Sequence, residues 1–364
     1  MKKLIYLLLS ILFIGSCTKM NDKHDEFLSK GETVYIGKVD SMRTFPGNER
    51  IMFRYWLSDP RAKSITAYWG TNNDSAVFVV PPHQPVDSFD IQINAVDEGN
   101  YSFQWISRDE HRNKSIPFEI ISSVYGERYN NRLINRRIVQ SEIQGNNAII
   151  TWTGSVTSQE IGIEFSYRKT SGIIEILKIN SGDLSTPLVL EDIDPTYKPV
   201  YQTLFLPEPQ SIDTFYAKPA YVDMVERVNI ALGKQTAVSD VNSSSTGGNR
   251  AVDGDNTSSG SRWVTNDSHN AHWIEIYFEA EYEINAFQTW SDNLNNAPAQ
   301  AQFRFEADIN GEWVPIVTET QNSLYGYYAE FEAVTTSKVR YYIPAYQTNR
   351  VRLFEISVYS IIHY

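Results

Sequence analysis

An all-β chain built from three successive sandwich domains is what this 364-residue sequence predicts, on three observations. Short runs that alternate apolar and polar residues, rich in β-branched and aromatic side chains, recur along most of the chain. Turn-forming residues separate them. No stretch beyond the N-terminal segment keeps a helical period for more than a turn or two. Composition agrees, because 13% of the residues are aromatic, with 22 Tyr and 8 Trp against 5 Met. Such residues suit pleated, half-buried surfaces, and they also stack on sugars or anchor interfaces. The length suits two or three domains, and 41% hydrophobic residues supply their cores. A formal net charge of −12 argues against nucleic acid or an anionic membrane surface as the main partner.

The chain opens with Met1-Lys2-Lys3, an apolar run from Leu4 to Ile14, and Gly15-Ser16-Cys17. That run is too short to span a bilayer and suits an export signal. Ile14-Gly15-Ser16-Cys17 resembles the lipobox of bacterial lipoproteins. The resemblance implies cleavage before Cys17 and lipid on its thiol and amine, an anchor that does not span the membrane. The plainer alternative is an ordinary signal peptide followed by a chance cysteine. With no other cysteine, disulfides are excluded and stability must come from cores or metal. Residues 18–30 (TKMNDKHDEFLSK) are polar and aperiodic, and read as a tether.

From residue 31 to 125 the strand pattern is clear in Arg50–Trp56, Ser64–Trp69, Ala76–Val80 and Tyr101–Trp105, whose odd positions should face one core. Glu98-Gly99-Asn100 followed by Tyr101 resembles the turn-plus-tyrosine arrangement of fibronectin type III and immunoglobulin-like sandwiches. Residues 126–225 repeat the grammar in Asn147–Trp152, Ile161–Tyr167, Ile173–Ile179 and Val200–Leu206, so two tandem sandwiches of that kind are expected. Tyr125-Gly126…Tyr129 and Leu206-Pro207-Glu208-Pro209…Ile212-Asp213-Thr214 resemble an uncharacterised two-module family of surface lipoproteins from Bacteroidota-type bacteria. That resemblance implies a setting and no mechanism.

The remaining module, residues 226–362, carries the most specific signals. Asn229–Lys234, Ala251-Val252-Asp253-Gly254-Asp255-Asn256-Thr257, Arg262-Trp263, His272–Ile276, Gly311–Ile316 and Leu353–Tyr359 follow in order. Together they resemble the coagulation factor V/VIII type C, or discoidin, domain, and among its members the bacterial family 32 carbohydrate-binding modules. The resemblance implies a jelly-roll β-sandwich with a structural calcium ion. The residues permit such a site: Asp253-Gly254-Asp255 is a turn in which Gly lets two carboxylates converge, and Thr257 adds a hydroxyl and a carbonyl. Glu355 stands where the family completes the shell, with the carbonyls of Arg250 and Phe354 as further ligands. The bland reading is an Asp-Gly turn that binds nothing.

For ligand, the resemblance implies loops at one end of the sandwich presenting an aromatic platform and polar partners. Four loops qualify: Asp240–Gly248, Thr265–Ala271, Ser291–Gln300 and Gln321–Tyr328. The candidates are Trp290 with Asp292 and Asn293, and Asn322 with Tyr325 and Tyr327, where Gly326 would let the rings splay. For each ring, packing is the competing reading. Trp263, Trp273 and Trp313 match core positions of the family, and His269 and His272 read as a loop and a strand-start residue. Many sugar-binding members carry His after the first of these tryptophans; here it is Val264.

Catalysis is not expected. There is no G-x-S-x-G elbow, no H-E-x-x-H and no Gly-rich phosphate loop after a strand, and the 44 acidic residues are too scattered for spacing to locate a glycosidase pair. The sequence therefore points to a lipid-anchored binding protein of the outer membrane or cell surface, facing periplasm or exterior. It would capture a glycan and pass it to surface enzymes or transporters. The alternative is a protein-binding adhesin or scaffold component.

Overall fold

The computed structural model of the chain describes residues 34–71, 74–84, 87–155, 157–266, 270–291, 301–345 and 350–364. Strands dominate it as expected. The helical elements among the described residues are α1 (Glu127–Asn130) and two 3-10 turns, Asp183–Ser185 and Gly248–Ala251. The chain divides into two compact units. One holds the described residues up to Ile134 with Thr157–Ile161 and Thr203–Lys218; the other holds Asn135–Val156, Gly162–Gln202 and Pro219–Tyr364.

In the first unit lie β1 (Ser41–Pro46), β2 (Arg50–Trp56), β3 (Ser64–Trp69), β4 (Asp74–Val79), β5 (Ser88–Asn94), β6 (Gly99–Arg108) and β7 (Phe118–Val124). They form two antiparallel sheets, β1-β2-β5 and β4-β3-β6-β7. Alternation does the sorting: Ile51, Phe53 and Tyr55 of β2, Ile65 and Ala67 of β3, and Phe103 and Trp105 of β6 are buried in one core. Burying each large side chain stabilises the fold by about 1.5–3 kcal/mol. Phe53 meets Phe103 and Trp105 edge-on at 4.9 and 4.8 Å. The Tyr101 hydroxyl donates to the Asp97 carbonyl at 2.9 Å, the tyrosine corner that the Gly99-Asn100-Tyr101 turn announced.

The two sequence segments that resemble the surface-lipoprotein family meet in this unit. Tyr125 donates to Glu208 Oε1 at 3.1 Å, and Phe215 packs edge-on against both Tyr125 and Tyr129. Asp213 accepts from Arg50 Nε at 2.9 Å and from the Asn48 amide at 2.8 Å. They work here as a clasp that closes residues 203–218 onto the sandwich.

The strands that follow are β8 (Ile138–Gln144), β9 (Asn147–Trp152), β10 (Glu160–Arg168), β11 (Ile174–Asn180), β12 (Leu188–Leu190), β13 (Val200–Phe205), β14 (Phe215–Tyr216) and β15 (Ala220–Tyr221). β12-β9-β8 lie side by side, as do β11-β10-β13, with β14 and β15 pairing the two ends of β13. Ile143, Ile150, Trp152, Ile163, Phe165, Leu190 and Met224 share a second core. At Gly162 the backbones come so close that a Cβ would stand 2.1 Å from the Ile179 carbonyl oxygen.

The C-terminal part holds β16 (Val225–Asn229), β17 (Gln235–Val238), β18 (Trp263–Val264), β19 (His272–Ser291), β20 (Phe303–Ile309), β21 (Glu312–Glu319), β22 (Gly326–Ile343) and β23 (Arg352–His363). Their sheet is continuous with β12-β9-β8, in the order β12-β9-β8-β16-β23-β19-β22-β20-β21; β17 pairs β19 and β18 pairs β23. β8 and β16 pair in parallel at Glu142–Val225 and Ile143–Glu226. At the far end, β21 carries Pro315 opposite Glu306, beside a register shift. The core gathers Trp263, Phe287, Phe303, Phe305 and Tyr341, with Phe287 stacked on Phe305 at 4.2 Å.

Two tryptophans expected in this core are not there. On β19 the buried set is His272, Ile274 and Ile276, so Trp273 falls on the opposite face, across from Tyr342. Trp313 likewise faces outward from β21, its ring covered by Arg340 at 4.4 Å and Lys338 at 5.0 Å. Arg304 and Arg340 flank Glu306, which is 2% exposed, at 2.8 and 2.6 Å. Strand period fixes which residues share a face but not which face is buried.

Candidate functional site

Two residue sets inferred separately meet at one end of the C-terminal sandwich. Trp290, near the end of β19, lies opposite Gly326 on β22 and Glu355 on β23. Gly326 matters for the space it leaves, since a Cβ there would stand 3.3 Å from Trp290 Nε1. Tyr325 precedes β22. Its carbonyl accepts from the Ser291 amide at 2.9 Å, its hydroxyl donates to the Asn256 carbonyl, and its ring meets Phe354 edge-on at 6.0 Å. The Arg262 guanidinium lies over the Phe354 ring at 5.6 Å. An aromatic group thus closes directly on the Asp253–Thr257 loop.

That loop turns at Gly254, whose φ of 88° is left-handed and favours glycine. Asp255 Oδ1 accepts from the Thr257 amide at 3.0 Å and the Ser258 amide at 2.9 Å, and these bonds, Ser258 foremost, hold its carboxyl well below the usual range. Asp253 accepts from the Asp255 amide at 3.1 Å and from the Ser261 hydroxyl. Glu355 is different. It is 2% exposed, its Oε2 accepts from the Gly254 amide at 3.2 Å, and its Oε1 has no hydrogen-bond partner among the described residues. Burial pushes its carboxyl up to about 7, the charges of Asp253 and Asp255 push the same way, and the Gly254 N–H opposes them. Among the described residues no set of three or more His, Cys, Asp or Glu side chains is disposed to hold a metal unaided. Carbonyl oxygens, such as those of Arg250, Thr257 and Phe354, would have to complete any shell around Glu355.

Not every candidate joins this site. Asn322 is 8% exposed, and its Oδ1 accepts from the Leu324 amide at 2.9 Å, shaping its own turn. Tyr327 points inward, edge-on to Phe303 at 4.9 Å and near Phe287 at 5.8 Å, so it is packing and not a ligand ring. Asp292, Asn293 and His269 lie outside the described residues, as does Cys17.

A polar network that the sequence did not single out ties the neighbouring loops together. Asp240 accepts from His272 Nδ1 at 2.8 Å and from the Asn266 amide at 2.6 Å, while its carbonyl accepts from Trp263 Nε1 at 2.9 Å. Asn242 donates its amide to the Val264 carbonyl at 2.8 Å and accepts from Arg350 Nη1. Val264 is 6% exposed and belongs to the sheet. No local pattern marks these partners, because Asn242 and Arg350 stand 108 residues apart.

Comparison with known proteins gives two family matches. One family, described as F5/8 type C domain, matches residues 234–356, a range that covers all the motifs that suggested it except most of Asn229–Lys234 and the last three residues of Leu353–Tyr359. The other, DUF4998, described as a domain of unknown function, matches residues 17–215. No curated protein matches the chain. Among solved structures, it is similar to chitosan-binding module 2, in complex with chitotriose, of a chitosanase/glucanase from Paenibacillus sp. IK-5. Identity is 22% over 36% of this chain and 100% of that one, with a TM-score of 0.33. A Streptococcus pneumoniae fucose binding module is 23% identical over 36% of this chain and 95% of its own, TM-score 0.32. The family 32 carbohydrate-binding module of Streptococcus pneumoniae EndoD is 13% identical over 36% and 99%, TM-score 0.33.

Proposed function

The chain belongs to the DUF4998 family, a domain of unknown function, and carries an F5/8 type C domain behind it; we propose that it is a non-catalytic, membrane-anchored protein that captures a glycan at the cell surface through its C-terminal domain. One observation carries the reading: the half-buried rings of Trp290 and Tyr325, the latter backed by buried Phe354, close on the same end of the sandwich as Arg262, Asn256 and the acidic loop. Sugars offer apolar C–H faces that pack on rings and hydroxyl rims that need amide, guanidinium or carboxylate partners.

A structural calcium ion suits the acidic half of this end. A buried carboxylate oxygen without a partner among the described residues, beside two further carboxylates, is costly unless a cation is supplied. Asp253, Asp255 and Glu355 would hold the ion, with oxygens of Arg250, Thr257 and Phe354. Once bound it supplies charge neutralisation and a fixed loop. The sequence of residues 1–17 supports lipid attachment at Cys17, which labelling with radioactive palmitate would test against Cys17→Ser.

The decisive experiment is a glycan array probed with the soluble chain, in calcium and in chelator. Binding confined to one glycan class and lost in Trp290→Ala or Tyr325→Ala is the expected result. A blank array from folded, calcium-loaded protein would overturn glycan capture and favour a protein partner.

A further inference from the structure

We propose that the second sandwich and the F5/8 type C domain are one cooperative body, latched by Tyr364, so that the candidate binding end is carried on a rigid mount and not on a hinge. This goes beyond the glycan reading and stands without it.

Ordinary domain boundaries are exposed linkers that few contacts cross. Here the connecting residues are tied into the fold, with exposed Tyr221 and Asp223 alternating with side chains that enter a core. Val222 is 2% exposed and Met224 is fully buried, both inside the second core. Val225–Asn229 then form β16, antiparallel to β23 of the C-terminal domain along its whole length and parallel to β8 of the second sandwich at its start. One strand therefore belongs to both modules, and no free linker separates them.

The latch is Tyr364. Its ring packs against the core of the second sandwich. Its amide donates to the Met224 carbonyl at 3.0 Å and its hydroxyl to Glu226 Oε2 at 2.7 Å. Side chains brace the same seam. Ser141 donates to the Asp223 carbonyl, and Arg227 lies 3.9 Å from Glu142 on one side and donates to the Tyr328 hydroxyl at 3.0 Å on the other. Unfolding the C-terminal domain alone would withdraw β16, bare the edge of β8 and pull an aromatic ring from the neighbouring core. Opening either module thus damages the other, which is the physical content of cooperativity.

Native-state hydrogen exchange of the full chain, in guanidinium below the unfolding midpoint, tests this. Peptides from Ile138–Trp152 and from β19, β22 and β23 should open together, with rates that agree within about threefold at each denaturant concentration. Tyr364→Ala should speed exchange in Ile138–Trp152 by about tenfold or more, and Tyr364→Phe, which keeps the ring, by less than about threefold. Separate opening of the two sets of peptides in the wild-type chain would overturn the proposal even if the alanine variant does not fold. So would an alanine variant whose Ile138–Trp152 exchange stays within about twofold of wild type.

Discussion

Glu355 offers the sharpest quantitative test. Its carboxyl titrates near 7 in the folded chain against an ordinary value of 4.5, because it is buried beside Asp253 and Asp255. Between these two values the folded chain binds the proton that the unfolded chain has released, so stability falls as pH rises. At about 1.4 kcal/mol for each pH unit that separates the two values, the loss comes to about 3.5 kcal/mol, and relaxation and water entry around the buried carboxyl reduce it to about 2 kcal/mol. For a folding unit of roughly 200 residues that is about 4–8 °C in Tm. Thermal unfolding in chelator should therefore show the transition that contains the C-terminal domain falling by this amount between pH 5 and 8. Glu355→Gln should abolish that part of the slope and be the more stable protein at pH 8. Calcium at a hundred times its Kd should add about 2.7 kcal/mol to wild type and remove the slope, because the bound ion favours the carboxylate. In calcium the Gln variant should be the weaker protein. Equal pH slopes for wild type and Glu355→Gln in chelator would refute the account of the buried carboxylate. Failure of calcium to separate the two proteins would refute the metal site.

Three further perturbations have defined outcomes. Gly162→Ala should cost about 2–3 kcal/mol in chemical denaturation, because its Cβ meets the Ile179 carbonyl, a backbone atom that cannot step aside. Asp213→Asn should destabilise the first unit by about 1–2 kcal/mol by breaking the charge-assisted bonds from Arg50. The Arg50 hydrogen bond holds the Asp213 carboxyl below its ordinary value, so this stabilisation is present above that value and fades as acid protonates the group; wild type and variant should converge at low pH. Gly326→Ala forces Trp290 to give by a few tenths of an ångström, so it should change stability by less than about 1 kcal/mol. Its glycan affinity should nevertheless drop severalfold, read by titration calorimetry on the array hit.

Much of the architecture was legible because a strand advertises itself by alternation. Ile51, Phe53 and Tyr55, or Phe103 and Trp105, are buried as their spacing implies. The acidic loop was legible because its parts are local: the left-handed Gly254 sits between the two aspartates it serves. What escaped depends on facing and on distance. A single step along β22 separates Tyr327, packed on Phe303, from exposed Tyr328, and no composition rule chooses between them. Trp273 and Trp313 were expected on the wrong face for the same reason. Asp240 with His272, and β8 beside β16, are joined by contacts 32 or more residues apart, which a single chain read in order does not reveal.

The two ends of the long shared sheet have a further consequence. One end is β12, only three residues long; the other is β21, where Pro315 withholds an amide and a register shift bends the ladder. A sheet of this width would otherwise template the addition of a neighbouring chain, and short, proline-bearing, bulged margins are how natural proteins discourage that. These two margins are therefore poor templates for strand addition by another copy of the chain.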